Sequence, residues 1–378
     1  MTISAIIIFL SILFVLVVVH EFGHFLFAKF FKMRVDEFAF GFPPKLLQYK
    51  YGETLYSFNL IPLGGYVKIF GENGLEDDDK NKLSEHEQKK AFGSKKPYAR
   101  ILVLSGGVIF NILAAIIFFT ASLMHGSNIY LDQSEVADTP FANRSLEIVE
   151  INEKSPLRYT GMQAGNKIVA IEADGMTLIG DMLSSQSATQ FVQEHNNSSI
   201  AITYKNELNE VNTENVIPKA GIVEGKKILG AKFADASFKK LSLFPAIVES
   251  VKMTYEQLMY IFLSVYNLVA DLIFKNAKVE DSISGPVGLA MLTSKVAEQG
   301  IDKIFFFAAL LSLSLAVFNI LPIPALDGGR ILFVLIEIFT RKKVKKQVEQ
   351  LFHGLGFLAL LFLMIFVTYF DIVKAFAG

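Results

Sequence analysis

Residues Ile6 to Val19 carry no charge, and without leaving this apolar run the chain reads His20-Glu21-Phe22-Gly23-His24 before resuming with Phe25-Leu26-Phe27. A run this long and this apolar reads as a membrane helix. Ionisable side chains inside such a helix are expensive and mark function by default. Residues i and i+4 share one helix face, so His20 and His24 can hold one metal ion between them. Glu21 lies one step round the helix, where a long carboxylate reaches a water beside that metal.

Two histidines at this spacing, with a glutamate after the first, form the HExxH pattern of zinc hydrolases. The alternatives for the pair are packed helix histidines or ligands of a haem. The chain has no cysteine, so thiolate ligands and disulfides are excluded and any metal ligand must be His, Asp or Glu. Of the 378 residues 52% are hydrophobic and the mean hydropathy is +0.41, too apolar for an ordinary soluble protein. The formal net charge of −1 gives no footprint for nucleic acid.

Four spans are expected, at about 4–30, 99–124, 303–323 and 354–371, each able to cross a core of roughly 30 Å at about 1.5 Å per residue. The first lacks a basic leader and continues past any small-residue cleavage site, so it is expected to stay in the membrane. A further stretch, 257–274, is ambiguous, and charge decides its role. Lys29, Lys32 and Arg34 begin the loop after the first span, Lys89, Lys90, Lys95, Lys96 and Arg100 end it, and Arg341-Lys342-Lys343-Val344-Lys345-Lys346 follows the third span. The positive-inside rule places both basic segments in the cytoplasm. Four spans satisfy this and five do not, so 244–275 is expected to lie at the outer interface or packed on the bundle.

The chain then divides into a first span with the histidine pair (1–32), a membrane-associated β loop and a charged cytosolic loop (33–98), a second span (99–125), an extracytoplasmic domain (126–243), interfacial helices (244–302), a third span with an aspartate motif (303–340), and a basic loop with a fourth span (341–378). In the β loop, Phe38, Phe40 and Phe42 alternate, as do Tyr56, Phe58 and Leu60, and Gly52-Glu53 suits a hairpin turn. Gly41-Phe42-Pro43-Pro44 and Pro62-Leu63-Gly64-Gly65 exclude a helix there. Residues 72–92, with Glu76-Asp77-Asp78-Asp79, read as a solvated loop. The outer domain shows strand-like runs at Leu146–Ile151, Lys167–Ile171, Ser199–Tyr204 and Ile228–Phe233, and Ser155-Pro156 followed by Gly165-Asn166 has the grammar of a PDZ domain. The expected fold class is a polytopic α-helical membrane protein with four transmembrane helices, a membrane-associated β-hairpin loop and one inserted α/β PDZ domain.

A hydrolytic zinc site needs three protein ligands and an open position. His86, His125 and His195 lie outside the spans, and His353 is the one rival by depth. Asp327 is the better third ligand. It sits in Asn319-Ile320-Leu321-Pro322-Ile323-Pro324-Ala325-Leu326-Asp327-Gly328-Gly329, where two prolines break the third span and paired glycines let a carboxylate turn inward.

With HExxH in the first span and Asn-x-x-Pro-x-Pro-x-Leu-Asp-Gly in the third, the chain resembles the site-2 protease family of intramembrane zinc metalloproteases. The order of span, β loop, span, PDZ and two spans is similar to the bacterial RseP-type branch, as are Ile61-Pro62-Leu63-Gly64-Gly65-Tyr66-Val67-Lys68 and Ser284-Gly285-Pro286-Val287-Gly288. Many relatives have two PDZ domains where this chain has room for one. Many also have Gly-Pro-x-x-Asn where this chain has Gly107-Val108-Ile109-Phe110-Asn111, with Asn111 kept and the proline lost.

The resemblance implies one zinc ion per chain on His20, His24 and Asp327, with Glu21 as general base. Asn319 would donate to the oxyanion or hold the broken helix together. It implies peptide-bond hydrolysis in the membrane segment of single-span proteins already trimmed outside, such as anti-sigma factors or remnant signal peptides, in the bacterial cytoplasmic membrane. The unwound substrate would add as a strand to an edge in 33–71, with Gly64, Gly65 and Asn111 as substrate-binding residues. The PDZ domain would act as a size gate or read peptide tails. The rival readings are a catalytically silent PDZ scaffold, a metal transporter, whose usual internal repeat is missing here, and a surface-facing metalloprotease with a downstream glutamate ligand.

Overall fold

The computed structural model describes residues 3–72, 83–131, 133–152, 154–206, 209–223, 226–274, 285–342, 344 and 346–377. The acidic run Glu76-Asp77-Asp78-Asp79, Ser284, Lys343 and Lys345 lie outside the described residues. Internal contacts divide the chain into two units, one of Met1–Met124 with Ser242–Gly378 and one of His125–Leu241.

The first unit holds helices α1 (Ile3–Phe30), α2 (Pro97–Leu104), α3 (Gly106–His125), α4 (Leu243–Phe274), α5 (Pro286–Gln299), α6 (Ile301–Ile320), α7 (Asp327–Thr340) and α8 (Lys346–Ala377). Among the described residues four helical stretches are long and apolar enough to cross a bilayer: Ile6–Phe30, Gly106–His125, Ile301–Ile320 and Gln347–Val373. The second expected span, 99–124, is interrupted. Pro97 opens α2, and the helix breaks just before the pair Gly106-Gly107. The hydrogen-bond ladder still passes through, since Ser105 N–H donates to Ile101 O at 2.8 Å and Ser105 O accepts from Ile109 N–H at 3.0 Å.

The third expected span also ends early. α6 stops at Ile320, Leu321–Leu326 is not helical, and α7 begins at Asp327 itself. Pro322 and Pro324 lack the N–H that a continuing helix needs. Within 244–302, α4 is one 32-residue helix and α5 packs against α1. The start of α5 is capped from α8, where Asp371 accepts from Gly285 N–H at 3.2 Å and from Gly288 N–H at 2.7 Å.

Between α1 and α2 the chain forms the hairpin of β1 (Val35–Tyr51) and β2 (Thr54–Ile69), turning at Gly52-Glu53. Both strands bend. The first half of β1 pairs on one side with Leu55–Phe58 and on the other with Gly65–Ile69, while Lys45–Tyr51 pairs with Thr54–Asn59. The segment order is therefore 45–51, 54–61, 35–42, 65–69, which leaves Gly65–Ile69 at an edge. The outer segment 45–51 and the bend around Phe42 and Ile61 are apolar and exposed, with Phe42, Leu46, Leu47, Tyr49, Tyr51, Phe58, Leu60 and Ile61 all uncovered. At the near end Ala28, Met33, Val35, Ile69, Phe92, Val103 and Val334 form one buried cluster, which joins α1, the hairpin, α2 and α7.

The unit His125–Leu241 holds an antiparallel sheet in the order β3 (Ser127–Tyr130), β11 (Ala231–Lys239), β4 (Ser145–Ile151), β5 (Lys167–Ala173), β7 (Ile200–Lys205), β8 (Val211–Val216), with β6 (Met176–Ile179) paired to β5, while β9 (Lys219–Val223) and β10 (Lys226–Ile228) pair with each other. The expected run Ile228–Phe233 is split, because Gly230 takes φ +67° and β11 starts after it. A helix, Ser185–Glu194, is opened by a Ser184 and Ser187 capping box and buries Ala188, Phe191 and Val192. The core includes Leu146, Ile148, Leu157, Ile168, Ile171 and Ile202, all nearly inaccessible. Arg144 and Asp235 form a buried pair at 2.9 Å, and Asp235 also accepts from Ser185 N–H at 2.9 Å. The charges are thus compensated where burial would otherwise be costly.

Leu146→Ala removes a fully buried side chain and is expected to cost about 2–5 kcal/mol. Hydrogen exchange on the full chain in detergent should show faster exchange across Ser145–Lys239 with Ile3–Phe30 unchanged. Faster exchange in both segments would contradict the division into two units.

Candidate active site

α1 presents His20, Glu21 and His24 on its C-terminal half, and α7 presents Asp327 from its first residue. His20 Nε2 lies 3.1 Å from Asp327 Oδ2, His24 Nε2 lies 3.2 Å from the same oxygen, and the two Nε2 atoms are 3.2 Å apart. Among the described residues, His20, His24 and Asp327 are the group whose ligand atoms converge closely enough to hold a metal ion. Donors on a tetrahedral zinc at about 2.0–2.1 Å stand about 3.3–3.4 Å apart, so the triangle has the size such an ion requires.

The second ring nitrogen of each histidine explains why three electron-rich atoms can meet here. His24 Nδ1 is 2.8 Å from the carbonyl of Val103, so it carries the proton and leaves Nε2 bare. His20 Nδ1 is 3.1 Å from the side-chain amide of the fully buried Asn111. Placing Asn111 Oδ1 toward that nitrogen, an assignment the amide permits, gives the Nδ1 proton an acceptor and occupies an oxygen that otherwise has none. Both Nε2 lone pairs then face one carboxylate oxygen, an arrangement that calls for a cation between them. The residues fit a divalent metal, and zinc in particular.

Glycines bring these helices together. A Cβ on Gly107 would fall on the His20 ring, 2.6 Å from Nδ1. A Cβ on Gly106 would lie 2.6 Å from Gly23 O, and one on Gly23 would lie 3.0 Å from Gly107 N. α1 and α3 thus touch backbone to backbone beside the histidines. Ser312 of α6 donates to Asn111 O at 2.8 Å, and Arg100 of α2 donates to Glu337 of α7 at 2.7 Å, which ties both remaining walls to the same corner.

A cavity of about 320 Å³ opens on the triangle, lined by the three ligands together with Glu21, Asn319, Tyr66, Glu72 and Arg330 among others. Arg330 and Glu72 form an ion pair across it. Burial pushes the Glu72 carboxyl upward in pKa while Arg330 opposes the shift. Of the residues named from sequence, His20, Glu21, His24, Asp327 and Asn319 meet at this cavity. Gly65 adjoins it, since a Cβ there would stand 3.2 Å from Glu21 Cγ and 2.9 Å from Ala39 O. Gly64 sits instead against the Phe42 ring, and Asn111 is behind His20 rather than in the cavity. His353, the rival ligand, does not join the triangle; its Nδ1 accepts from Ala325 N–H at 2.9 Å. Sequence reasoning did not find Gly23, Gly106 and Gly107 as packing residues, although a glycine inside the metal motif and a glycine pair ahead of Asn111 were signals for it.

Removing the support of His20 should weaken the metal site without emptying the cavity. Asn111→Leu is expected to lower zinc affinity about 10- to 100-fold, and Asn111→Asp, which keeps an acceptor, to lower it less. Competition against a chromophoric chelator measures both, and equal affinity in Asn111→Leu and wild type would refute the role given to this amide.

Comparison with known proteins agrees with the geometry. The sequence pattern of Peptidase family M50 matches residues 8–363. A protein of Clostridium acetobutylicum named "Putative zinc metalloprotease" is 30% identical over 362 residues, covering 95% of this chain and 94% of its own. One of Clostridium perfringens with the same description is 28% identical over 358 residues, covering 95% of each chain. One of Staphylococcus aureus is 29% identical, covering 98% of each. A match over nearly the whole length, with the metal triangle formed inside it, places this chain in peptidase family M50, the site-2 protease family.

Proposed function

We propose that this chain is an intramembrane zinc metalloprotease that cuts single-span membrane proteins within their membrane segment. The observation that supports this most is the triangle of His20, His24 and Asp327, closed to 3.1–3.2 Å, with Glu21 on the same cavity wall, the histidines and the glutamate carried by an apolar span and Asp327 by the helix that follows another. Zinc held there supplies a Lewis acid for the scissile carbonyl and an acidified water near neutral pH.

The protein's own residues do the rest. Asn111 and the Val103 carbonyl hold the two imidazoles in the tautomer that points Nε2 inward. The Glu21 carboxylate takes the proton from the attacking water and returns it to the leaving amine. Asn319, at the last turn of α6 and on the cavity wall, donates its amide N–H to the developing oxyanion or to the substrate backbone. A helical substrate must unwind to expose a peptide bond. Gly65–Ile69 pairs with β1 on one side and with no other strand among the described residues, and Tyr66, Val67 and Ile69 reach the cavity. This edge is where an unwound segment adds as a strand, and the missing side chain at Gly65 leaves room beside Glu21.

In this reading the protein sits in the bacterial cytoplasmic membrane with four spans and both basic segments inside. The helix α4 lies at the outer interface. The unit His125–Leu241 is an extracytoplasmic domain of PDZ type that admits only substrates trimmed on that side, as remnant signal peptides and clipped anti-sigma factors would be. Its Ser155 N-cap and the short helical turn Pro156–Tyr159 that follows, ahead of β5, support the PDZ assignment.

Purified protein should cleave a generic single-span substrate. Activity should fall by about 10²–10⁴-fold in Glu21→Gln, the contribution of a general base, with bound zinc unchanged. It should vanish on chelation and return with zinc. Cleavage that survives either treatment would remove the metalloprotease assignment.

A further inference from the structure

The aspartate ligand stands at the end of an unusual turn. After α6, Ile323 N–H reaches back to Leu321 O at 2.7 Å and Leu326 N–H to Ile323 O at 3.3 Å. Between them Ala325 adopts φ +72°, the left-handed region that a residue with a Cβ seldom enters. Such a conformation persists only where its surroundings over-determine it. Here they come from α8, which supplies no metal ligand. His353 Nδ1 accepts the Ala325 N–H at 2.9 Å. One helical turn on, Gly356 lies so close to Pro324 that a Cβ there would overlap it, with Pro324 C and Cα at 2.8 and 2.9 Å. The His353 ring is also packed beside Phe333 of α7, centroids 5.7 Å apart, and its Cε1 would stand 3.2 Å from a Cβ on Gly329.

We infer that His353 is a positioning residue for the metal site: its Nδ1 holds the left-handed turn at Ala325 and thereby sets the direction in which Asp327, two residues later, presents its carboxylate to His20 and His24. Its part is neither ligation nor contact with substrate. With Nδ1 as acceptor, the ring's proton is on Nε2, which is buried and has no partner among the described residues, so there the ring is oriented by the Ala325 bond and by packing. Gly356 completes the device by letting α8 approach the proline that precedes the turn. The fourth span thus acts as a brace for a ligand carried by another helix.

The inference rests on the metal-site reading above, and the test separates the two. In asparagine Oδ1 takes the place of Nδ1, whereas the glutamine amide reaches the place of Nε2. His353→Asn therefore keeps the acceptor and His353→Gln moves it away at matched polarity. Zinc affinity, measured by chelator competition on full-length protein in detergent, should stay within about threefold of wild type in His353→Asn. It should fall about 10- to 100-fold in His353→Gln, the range for loss of an outer-shell partner. Turnover should show lower kcat and unchanged KM in His353→Gln when zinc is limiting. A melting curve identifies a variant that has merely unfolded, and His353→Leu is a second variant without the acceptor. Wild type that binds no zinc would overturn the metal-site reading itself. Wild type with one zinc per chain, and folded Asn and Gln variants that bind it equally, would overturn only the role of His353.

Discussion

Two imidazole nitrogens and a carboxylate oxygen within 3.2 Å of one another are the constraint on which the membrane unit depends. With the proton of each imidazole on Nδ1, three lone-pair-bearing atoms face one another, and a cation between them is held strongly in a low-dielectric interior. The protein therefore has to orient all three. Each element around the triangle can be understood from that requirement. α2 offers a carbonyl to one histidine, α3 offers an amide to the other, and α7 starts on the aspartate because two prolines ended α6.

Close packing takes the place of the hydrophobic effect in this arrangement, since lipid is as apolar as the side chains it would replace. Gly23 against Gly106, and Gly107 against His20, bring two helices to backbone contact beside the ligands. The same device recurs where Gly356 meets Pro324. The hairpin belongs to this scheme as well. Its inner end is locked into the cluster with Ala28, Val103 and Val334, and its outer strand segment is left apolar and exposed. Close backbone packing is concentrated at the ligand cluster, and a strand edge unpaired among the described residues is left beside it.

Much of this was legible in the sequence because the relevant signals are local. HExxH puts two histidines on one helix face with a glutamate beside them by spacing alone, and the proline pair before Asp327 announces a break at a definite place. Alternating aromatics at Phe38–Phe42 and Tyr56–Leu60 gave the hairpin, and Gly52-Glu53 gave its turn. What was not legible depends on tertiary contact. Asn111 is a polar residue in an apolar helix, and nothing in its neighbours says whether it faces substrate or His20. His353 has the depth of a ligand, yet whether it binds metal or a backbone N–H is decided by a turn 28 residues earlier. Gly107 reads as a helix-weakening residue until the ring against it is seen. The bend that makes Gly65–Ile69 an edge strand arises from double pairing along β1, which alternation cannot reveal.

X-ray absorption at the zinc K-edge of the purified full-length protein tests, without reference to any substrate, which three side chains meet at the metal. Two imidazole shells and one carboxylate oxygen shell, all at about 2.0–2.2 Å, with the carboxylate shell lost in Asp327→Ala, are the result predicted here. A first shell of three imidazoles would place another histidine in the site and contradict the account.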